Sequence, residues 1–557
     1  MNSLIRVVTV VAALVLPLNI TPSWGGPPNP TLSDAHRNTA GGTGALLDAT
    51  TDSFADDYDN TGFGYNALGD NTTGSGNTAT GAFALRSNTT GDNNTATGDD
   101  ALYSNTSGNR NTAGGFAALQ NNNTGSDNTA TGFAALFFNT SGSNNTASGA
   151  NALYHSTGSN NTADGVNALF SNTSGFNNTA SGADALHFNT TGSYNAALGL
   201  QALYSNTTGG GNTATGANAL YNNTADNNTA SGALALFSNT SGNENTASGV
   251  SALQSNTTGY DNSAHGFQAL YSNTTGADNT AAGALALFLN TTGFNNTAAG
   301  VAALEQNTMG NNNTAVGVDA QVFNQTGSAN TAMGVNALAN NTDGSNNTAI
   351  GFKALKKSLG TKNIAIGYQA GVTLTTGNNN IFIGNQGVGD ESQTIRIGQA
   401  QTSTYMAGIN TTGVSGTAVV VDANGQLGIT LSSARYKRDI APMGTSSERV
   451  LDLRPVIFAY RNDAPGVTHY GLIAEEVAAV YPELVTHTAA GEVQTVKYHE
   501  LIPLMLNEVQ RQRQALQSQE QALQRQQQEL AEVGALRKEL AELRTLVGSR
   551  QEARAAK

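Results

Sequence analysis

The sequence predicts a mainly β protein: a β-solenoid of 17-residue repeats, then a small α+β domain and a C-terminal α-helical coiled coil. Three observations predict it. A unit of the form Asn-Thr-Ala-x-Gly-x-x-Ala-Leu-x-x-Asn-Thr-Thr-Gly-x-x recurs at a fixed spacing from Asn60. Ordinary globular composition returns near residue 400, and the last stretch places apolar residues every seven positions. The 64 glycines, with abundant Asn, Thr and Ser, would otherwise indicate disorder; regular spacing reverses that reading.

In chain order, Arg6 precedes an apolar run from Val7 to Leu18, and small residues follow at Ser23 to Gly26. That pattern predicts a signal peptide over residues 1–25 and export from a bacterium. The run is too short to span a membrane comfortably, although an uncleaved N-terminal anchor is the alternative. No later segment reaches spanning length, so the mature chain is expected to have no integral membrane span. A net charge of -14 leaves no electrostatic footprint for nucleic acid. The absence of cysteine excludes disulfides and thiolate metal sites.

Residues 38–400 carry the repeat, with a degenerate first copy, Asn38 to Leu47, ahead of an acidic insertion around Asp56–Asp59. A marker Asn opens each unit: Asn60, Asn77, Asn94 and onward, resuming one residue early at Asn161, Asn228 and Asn363 and ending at Asn380. A period of 17 is too short for paired helices, and the recurrent Gly and Asn-Thr-Thr-Gly turn would break a helix in every unit. Two short strands per rung joined by turns are expected, making about twenty rungs and a rod on the order of 95 Å long at about 4.8 Å per rung.

Stacking turns each repeat position into a column. Leu at marker+8 (Leu85, Leu102, Leu119) should form a buried apolar column, and Ala at marker+2 (Ala79, Ala96) should sit where the walls approach closely. Asn tolerates left-handed turn geometry and can bond to the Asn above and below. Such a core is thin, so burying a second face by association would help. Marker+3 supports this: it is Thr80 and Thr97 early but Val316, Met333, Ile350, Ile366 and Ile383 late. The face is therefore expected to be wet near the tip and dry near the base, where three chains would pack.

Other readings of the repeat are weaker. The Asn-x-Ser/Thr triplets are formal glycosylation acceptors, but turn asparagines explain them in a bacterial chain. Thr-Ala-Thr, as at Thr78 to Thr80, suggests ice-binding threonine ladders, yet only the first Thr recurs steadily. The Asp-rich calcium nonapeptide is missing, and no metal site or cofactor is expected. The units resemble the head repeats of trimeric autotransporter adhesins, best at Asn363-Ile364-Ala365-Ile366-Gly367 and Asn380-Ile381-Phe382-Ile383-Gly384. This rung is longer than theirs, and no C-terminal membrane anchor like theirs is expected from these residues, so the resemblance concerns architecture and does not imply autotransport.

Residues 401–430 read as a β connector: Val419-Val420-Val421-Asp422, a turn at Asn424-Gly425, then Gln426-Leu427-Gly428. Residues 431–503 then carry an ordered set of segments: Ser432-Ser433-Ala434-Arg435-Tyr436-Lys437, Leu453 to Tyr460, Tyr470 to Val477, Tyr481 to Val485 and Tyr498-His499-Glu500-Leu501. In this order they resemble the intramolecular chaperone domain of phage endosialidases and tail spikes, peptidase family S74. The resemblance implies a domain that trimerises a fibre and then releases itself through a Ser–Lys dyad in a Ser-Asp-x-Arg-x-Lys motif. Ser432, Arg435 and Lys437 take the Ser, Arg and Lys places, while Ser433 stands where the family has Asp.

A serine hydroxyl becomes a useful nucleophile when a base takes its proton, and lysine can be that base where burial favours its neutral form. Attack by Ser432 on the preceding carbonyl would cut Leu431–Ser432, with Arg435 positioning backbone or pairing with Glu475 or Glu476. Taken alone, Arg435, Lys437 and Arg438 would read as a solvated basic run. His469 and His499 are read as core or surface histidines.

The chain is helical by composition from Glu500, with Ile502, Val509, Leu516, Leu523 and Leu530 at a spacing of seven and Gln512, Gln519 and Gln526 at the companion positions, and the coiled coil is placed at 504–550. After a register shift near Gly534 follow Val533, Leu536, Leu540, Leu543 and Val547. A parallel trimeric coiled coil is predicted over a single amphipathic surface helix. The whole chain then reads as an extracellular or cell-surface homotrimeric fibre whose C-terminal domain directs assembly. Autoproteolysis would be its single-turnover enzymatic act, and a surface glycan or host-surface protein its possible partner. The alternatives are a prophage tail-fibre protein that binds host glycans, a non-cleaving chaperone or anchor, and a glycan hydrolase. The hydrolase lacks any paired-carboxylate constellation in the repeats.

Overall fold

The computed structural model describes residues 37–47, 58–406, 419–422, 426–488 and 490–555. The export segment at 1–25, most of the acidic insertion and the Asn424-Gly425 turn lie outside the described residues. The chain divides into two units, Met1–Tyr405 and Met406–Lys557.

The first unit is a solenoid. Among the described residues, 22 strands of three residues form one sheet, from Thr39–Gly41 to Ile395–Ile397. Each strand up to Ile381–Ile383 begins one residue after a marker Asn, the last follows Thr394, and each pairs in parallel with the strand of the neighbouring rung, as in Thr78↔Thr95, Ala79↔Ala96 and Thr80↔Thr97. The degenerate first copy joins this ladder through Thr39↔Thr61.

A rung contains one regular strand, where the sequence suggested two. The Leu at marker+8 explains the difference, because it lies in the left-handed region: φ is 49° at Leu85 and 51° at Leu102. That side of the rung curls instead of extending. Its backbone is still paired rung to rung, with Leu85 N–H donating to the Ala101 carbonyl at 2.9 Å and Ser87 N–H to the Tyr103 carbonyl at 2.9 Å. Buried backbone groups are thereby satisfied without a second strand.

The interior has an apolar and a polar half. Ala at marker+2, Ala at marker+7 and Leu at marker+8 are fully buried along the rod, as at Ala96, Ala101 and Leu102. The polar half is two ladders of buried asparagine. In the marker ladder, Asn94 N–H donates to Asn77 Oδ1 at 2.9 Å, and Asn94 Nδ2 donates to the Gly108 carbonyl at 2.8 Å. In the second, at marker+11, Asn105 Nδ2 donates to Asn88 Oδ1 at 2.7 Å and to the same Gly108 carbonyl at 3.0 Å. The left-handed residue of this corner is the one before the marker, with φ of 57° at Asn93 and 54° at Arg110. The marker itself serves as the hydrogen-bonding core.

Two glycines per rung have distinct reasons. Gly98, at marker+4, has φ 140°, and a Cβ there would stand 2.3 Å from the Gly115 carbonyl oxygen. Gly108, at marker+14, would press a Cβ to 2.3 Å from the Gly125 carbonyl oxygen and 2.4 Å from Asn105 Oδ1.

Three rungs are one residue short, those opening at Asn145, Asn212 and Asn347. In the first and third, the marker+11 Asn is replaced by Ser156 and Ser358. In the middle one, Asn223 turns its Nδ2 to the Ala225 carbonyl at 2.8 Å. The rung preceding each of the last two therefore keeps an unpaired buried oxygen, Asn206 Oδ1 and Asn341 Oδ1. Shortening breaks the second ladder locally while the strand ladder continues.

A column of half-buried rings lines the curled side at marker+9. It runs from Phe137 to Phe237 through Tyr154, Phe170, His187, Tyr204 and Tyr221, with centroids 4.9–5.3 Å apart and planes within 19° of parallel. The rung spacing imposes this stack, which adds specific contact between neighbouring rungs. At the base, Phe382 takes the place of the column alanine opposite Ala365 and is fully buried.

The second unit is built from short pieces. Antiparallel pairs join Val420–Val421 to Leu427–Gly428, Val456–Phe458 to His469–Gly471, and Val485–His487 to Val493–Val496. Helix α1 spans Ala474–Val480, and helix α2 runs unbroken over Tyr498–Ala555, through Pro503 and Gly534. Pro503 falls in the second turn, close to the end where few N–H groups have intrahelical partners. Val477, Tyr481, Leu484, Val485, Val496, Leu501 and Leu504 make the core. The first turns of α2 therefore belong to the small domain, and the helix continues out of it. Beyond, the heptad residues lie open: Val509, Leu516, Leu523 and Leu530 are 56–70% exposed.

Candidate functional site

The segment after the Leu427–Gly428 strand holds the predicted dyad. Ser433 precedes a single 3-10 turn, Ala434–Tyr436, closed by Tyr436 N–H to the Ser433 carbonyl at 3.0 Å and Lys437 N–H to the Ala434 carbonyl at 3.1 Å. This turn folds the chain back over five positions, so that Lys437 Nζ stands 3.5 Å from Ser432 Oγ. Lys437 is the donor of this contact, which is longer than a well-formed hydrogen bond. To take the hydroxyl proton, a general base must close to about 2.6–3.2 Å. Ser432, Lys437 and Leu431 are all exposed in the single chain, as is Ser433, whose side chain makes no capping bond to the turn.

Arg435 is not seen to pair with Glu475 or Glu476. Its guanidinium sits over the Tyr436 ring, 4.8 Å from the centroid. Glu476 is held instead by Arg454, whose Nε donates at 3.2 Å. The hydrogen bond and charge of Arg454 hold the Glu476 carboxyl below the usual carboxylate range. Arg454 leads into the strand Val456–Phe458, which brings it to the first turn of α1, and this nearer cation takes the carboxylate. The histidines are apart: His469 Nε2 is 3.1 Å from Asp463 Oδ2 and stacks on Phe458, while His499 Nε2 is 3.6 Å from Glu500 on α2. Among the described residues, no group of three His, Asp or Glu side chains is arranged to hold a metal ion. Nor is any helix there long and apolar enough to cross a membrane.

Sequence reading missed a polar clamp that ties the Gly444–Asp452 3-10 segment to α2. Asn507 Nδ2 donates to Ser447 Oγ at 2.7 Å and to the Gly444 carbonyl at 2.9 Å. Arg511 bridges Glu448 and the buried Glu508, the latter at 3.2 Å. Beside it, Val450, Leu453, Pro455, Leu472, Met505 and Val509 line a cavity of about 220 Å³. The signal was present in the sequence as Asn507, Glu508 and Arg511 on one helix face, but their partners lie some sixty residues away.

A stacked-repeat rod is thus followed by a small domain with a serine and a lysine folded together at its start. Residues 432–486 match the model of peptidase family S74, described as chaperone of endosialidase. The match begins at Ser432, the residue in contact with Lys437. No curated protein matches the chain.

Proposed function

We propose that this chain is a secreted or cell-surface fibre that assembles as a homotrimer, directed by its C-terminal S74-like domain, which then cleaves its own Leu431–Ser432 bond. The observation that carries the reading is the approach of Lys437 Nζ to Ser432 Oγ at the first residue of the family match. The open apolar heptads of α2 support the assembly step, since a helix of 58 residues with such a stripe needs partner helices to bury it.

Cleavage proceeds by attack of Ser432 Oγ on the Leu431 carbonyl carbon as Lys437 takes the hydroxyl proton. The C–N bond breaks, the proton goes to the leaving amine of Ser432, and water hydrolyses the resulting ester. Lysine acts as a base only when neutral, which burial favours. The pair is exposed in one chain, so this chemistry depends on what covers it on assembly. The fibre is then held kinetically after its folding domain has gone.

The test is expression of the full chain beside Ser432→Ala and Lys437→Ala. Only the wild type should release a fragment spanning 432–557 on a denaturing gel. If all three remain full length while the native mass is three chains, the domain is a chaperone or anchor without protease activity. A native mass of one chain before cleavage would remove the fibre reading itself.

A further inference from the structure

The repeat position marker+5 was an unassigned x in the sequence pattern, and the structure gives it a face. From the rung of Phe116 to that of Tyr368, every residue at marker+5 is apolar: Phe116, Phe133, Leu200, Phe267, Phe352 and Tyr368, with Val or Ala at the rest. The large ones are exposed, by 50% at Phe116, 52% at Leu200 and 68% at Tyr368. They form a true column, since the rings of Phe116 and Phe133 stack at 5.4 Å and those of Phe352 and Tyr368 at 5.5 Å. No charged residue occupies this position over a length of about 70 Å at the rung spacing, and Lys353 Nζ stands against the column, 4.7 Å from the Phe352 ring centroid. Near the base, the column at marker+3, just across the marker+4 glycine, is apolar and exposed too: Val316, Met333, Ile350 and Ile366.

A continuous exposed apolar strip of this extent marks an interaction surface. We infer that a second copy of this chain, parallel and in rung register, covers the marker+5 column along the rod from Phe116 to Tyr368. This goes further than a contact confined to the base. The argument is one of shape and period. The strip is one residue wide and repeats with the rung, so a globular partner would leave most of it wet. Another copy presents an identical strip of the same length and spacing, and packing like on like around an axis buries all of it. The inference rests on the fibre reading above.

The chain has no cysteine, which makes a cross-linking test clean. Leu200→Cys and Val250→Cys place a thiol in the column, at positions outside the left-handed region. Ser241→Cys places one in an exposed turn of the rod. Under mild oxidation of the full chain, the two column variants should give disulfide-linked pairs on a non-reducing gel, and Ser241→Cys should not. Assemblies of several chains that yield no pairs from either column variant would overturn this inference alone. A native mass of one chain would overturn it together with the fibre reading.

Discussion

Asn105 Nδ2 donates to Asn88 Oδ1 at 2.7 Å, and the same contact recurs from rung to rung in the sealed half of the solenoid. Removing the donor leaves a buried oxygen unpaired, a cost of about 1–3 kcal/mol. Asn105→Leu should therefore speed amide exchange in the rungs around 88–122 by roughly 10- to 100-fold, while those around Asn290 stay unchanged, because rungs touch only their neighbours. Hydrogen exchange read by mass spectrometry checks both halves of the statement.

Two adjacent glycines should behave in opposite ways. Gly115 has φ 135° and a Cβ there would stand 2.5 Å from the Gly132 carbonyl oxygen, whereas nothing lies within 4 Å of a Cβ on Gly114. Gly115→Ala is expected to destabilise the surrounding rungs by about 1–3 kcal/mol through strain. Gly114→Ala should be neutral or stabilise by up to about 1 kcal/mol, as alanine loses less chain entropy in a strand. Thermolysin susceptibility of the rod, compared between the two variants, separates them.

Lys437→Arg keeps the positive charge but supplies a group that stays protonated. No 432–557 fragment should appear, as with Lys437→Ala, even if the native mass is unchanged. Ser433→Asp, which restores the residue of the family motif, should raise the cleaved fraction above wild type at equal times. Densitometry of denaturing gels measures both, and a cleaving Lys437→Arg chain would exclude lysine as the base.

Arg511 is the cation beside the buried carboxylate of Glu508, which is 8% exposed. Arg511→Ala should lower the stability of the small domain by about 1–3 kcal/mol, since a buried acceptor loses its charged partner. Adding Glu508→Gln should recover part of that loss. Urea midpoints of the two variants, followed by the helical circular-dichroism signal that α1 and α2 contribute, provide the readout.

Much of this architecture can be read from residue order. The period, the Leu and Ala columns, the paired asparagines and the long helix all follow from spacing, because a stacked repeat converts sequence position directly into spatial position. Spacing is blind to curvature: a leucine rarely takes left-handed backbone, yet Leu102 lies at φ 51°, and the expected second strand becomes a curl. Variable positions also hide columns, since Phe133, Ala150 and Val166 look unrelated until the rungs are aligned. At the site, the local turn made the Ser432–Lys437 approach legible from five residues of chain. The partner of Arg435 was not legible, because Arg454 competes for Glu476 from a strand distant in sequence.

The in-register joining of one rung to the next has a consequence for how such a chain changes over generations. Duplication or loss of one 17-residue unit would move every later residue by one rung and leave each neighbour facing the same kind of partner. Reach would thus be adjustable in steps of about 4.8 Å without touching either terminus. Insertions that are not whole units would shear every column downstream, whereas at the three rungs one residue short a serine or a turned amide takes the corner and the strand ladder continues, leaving an unpaired oxygen at Asn206 and Asn341.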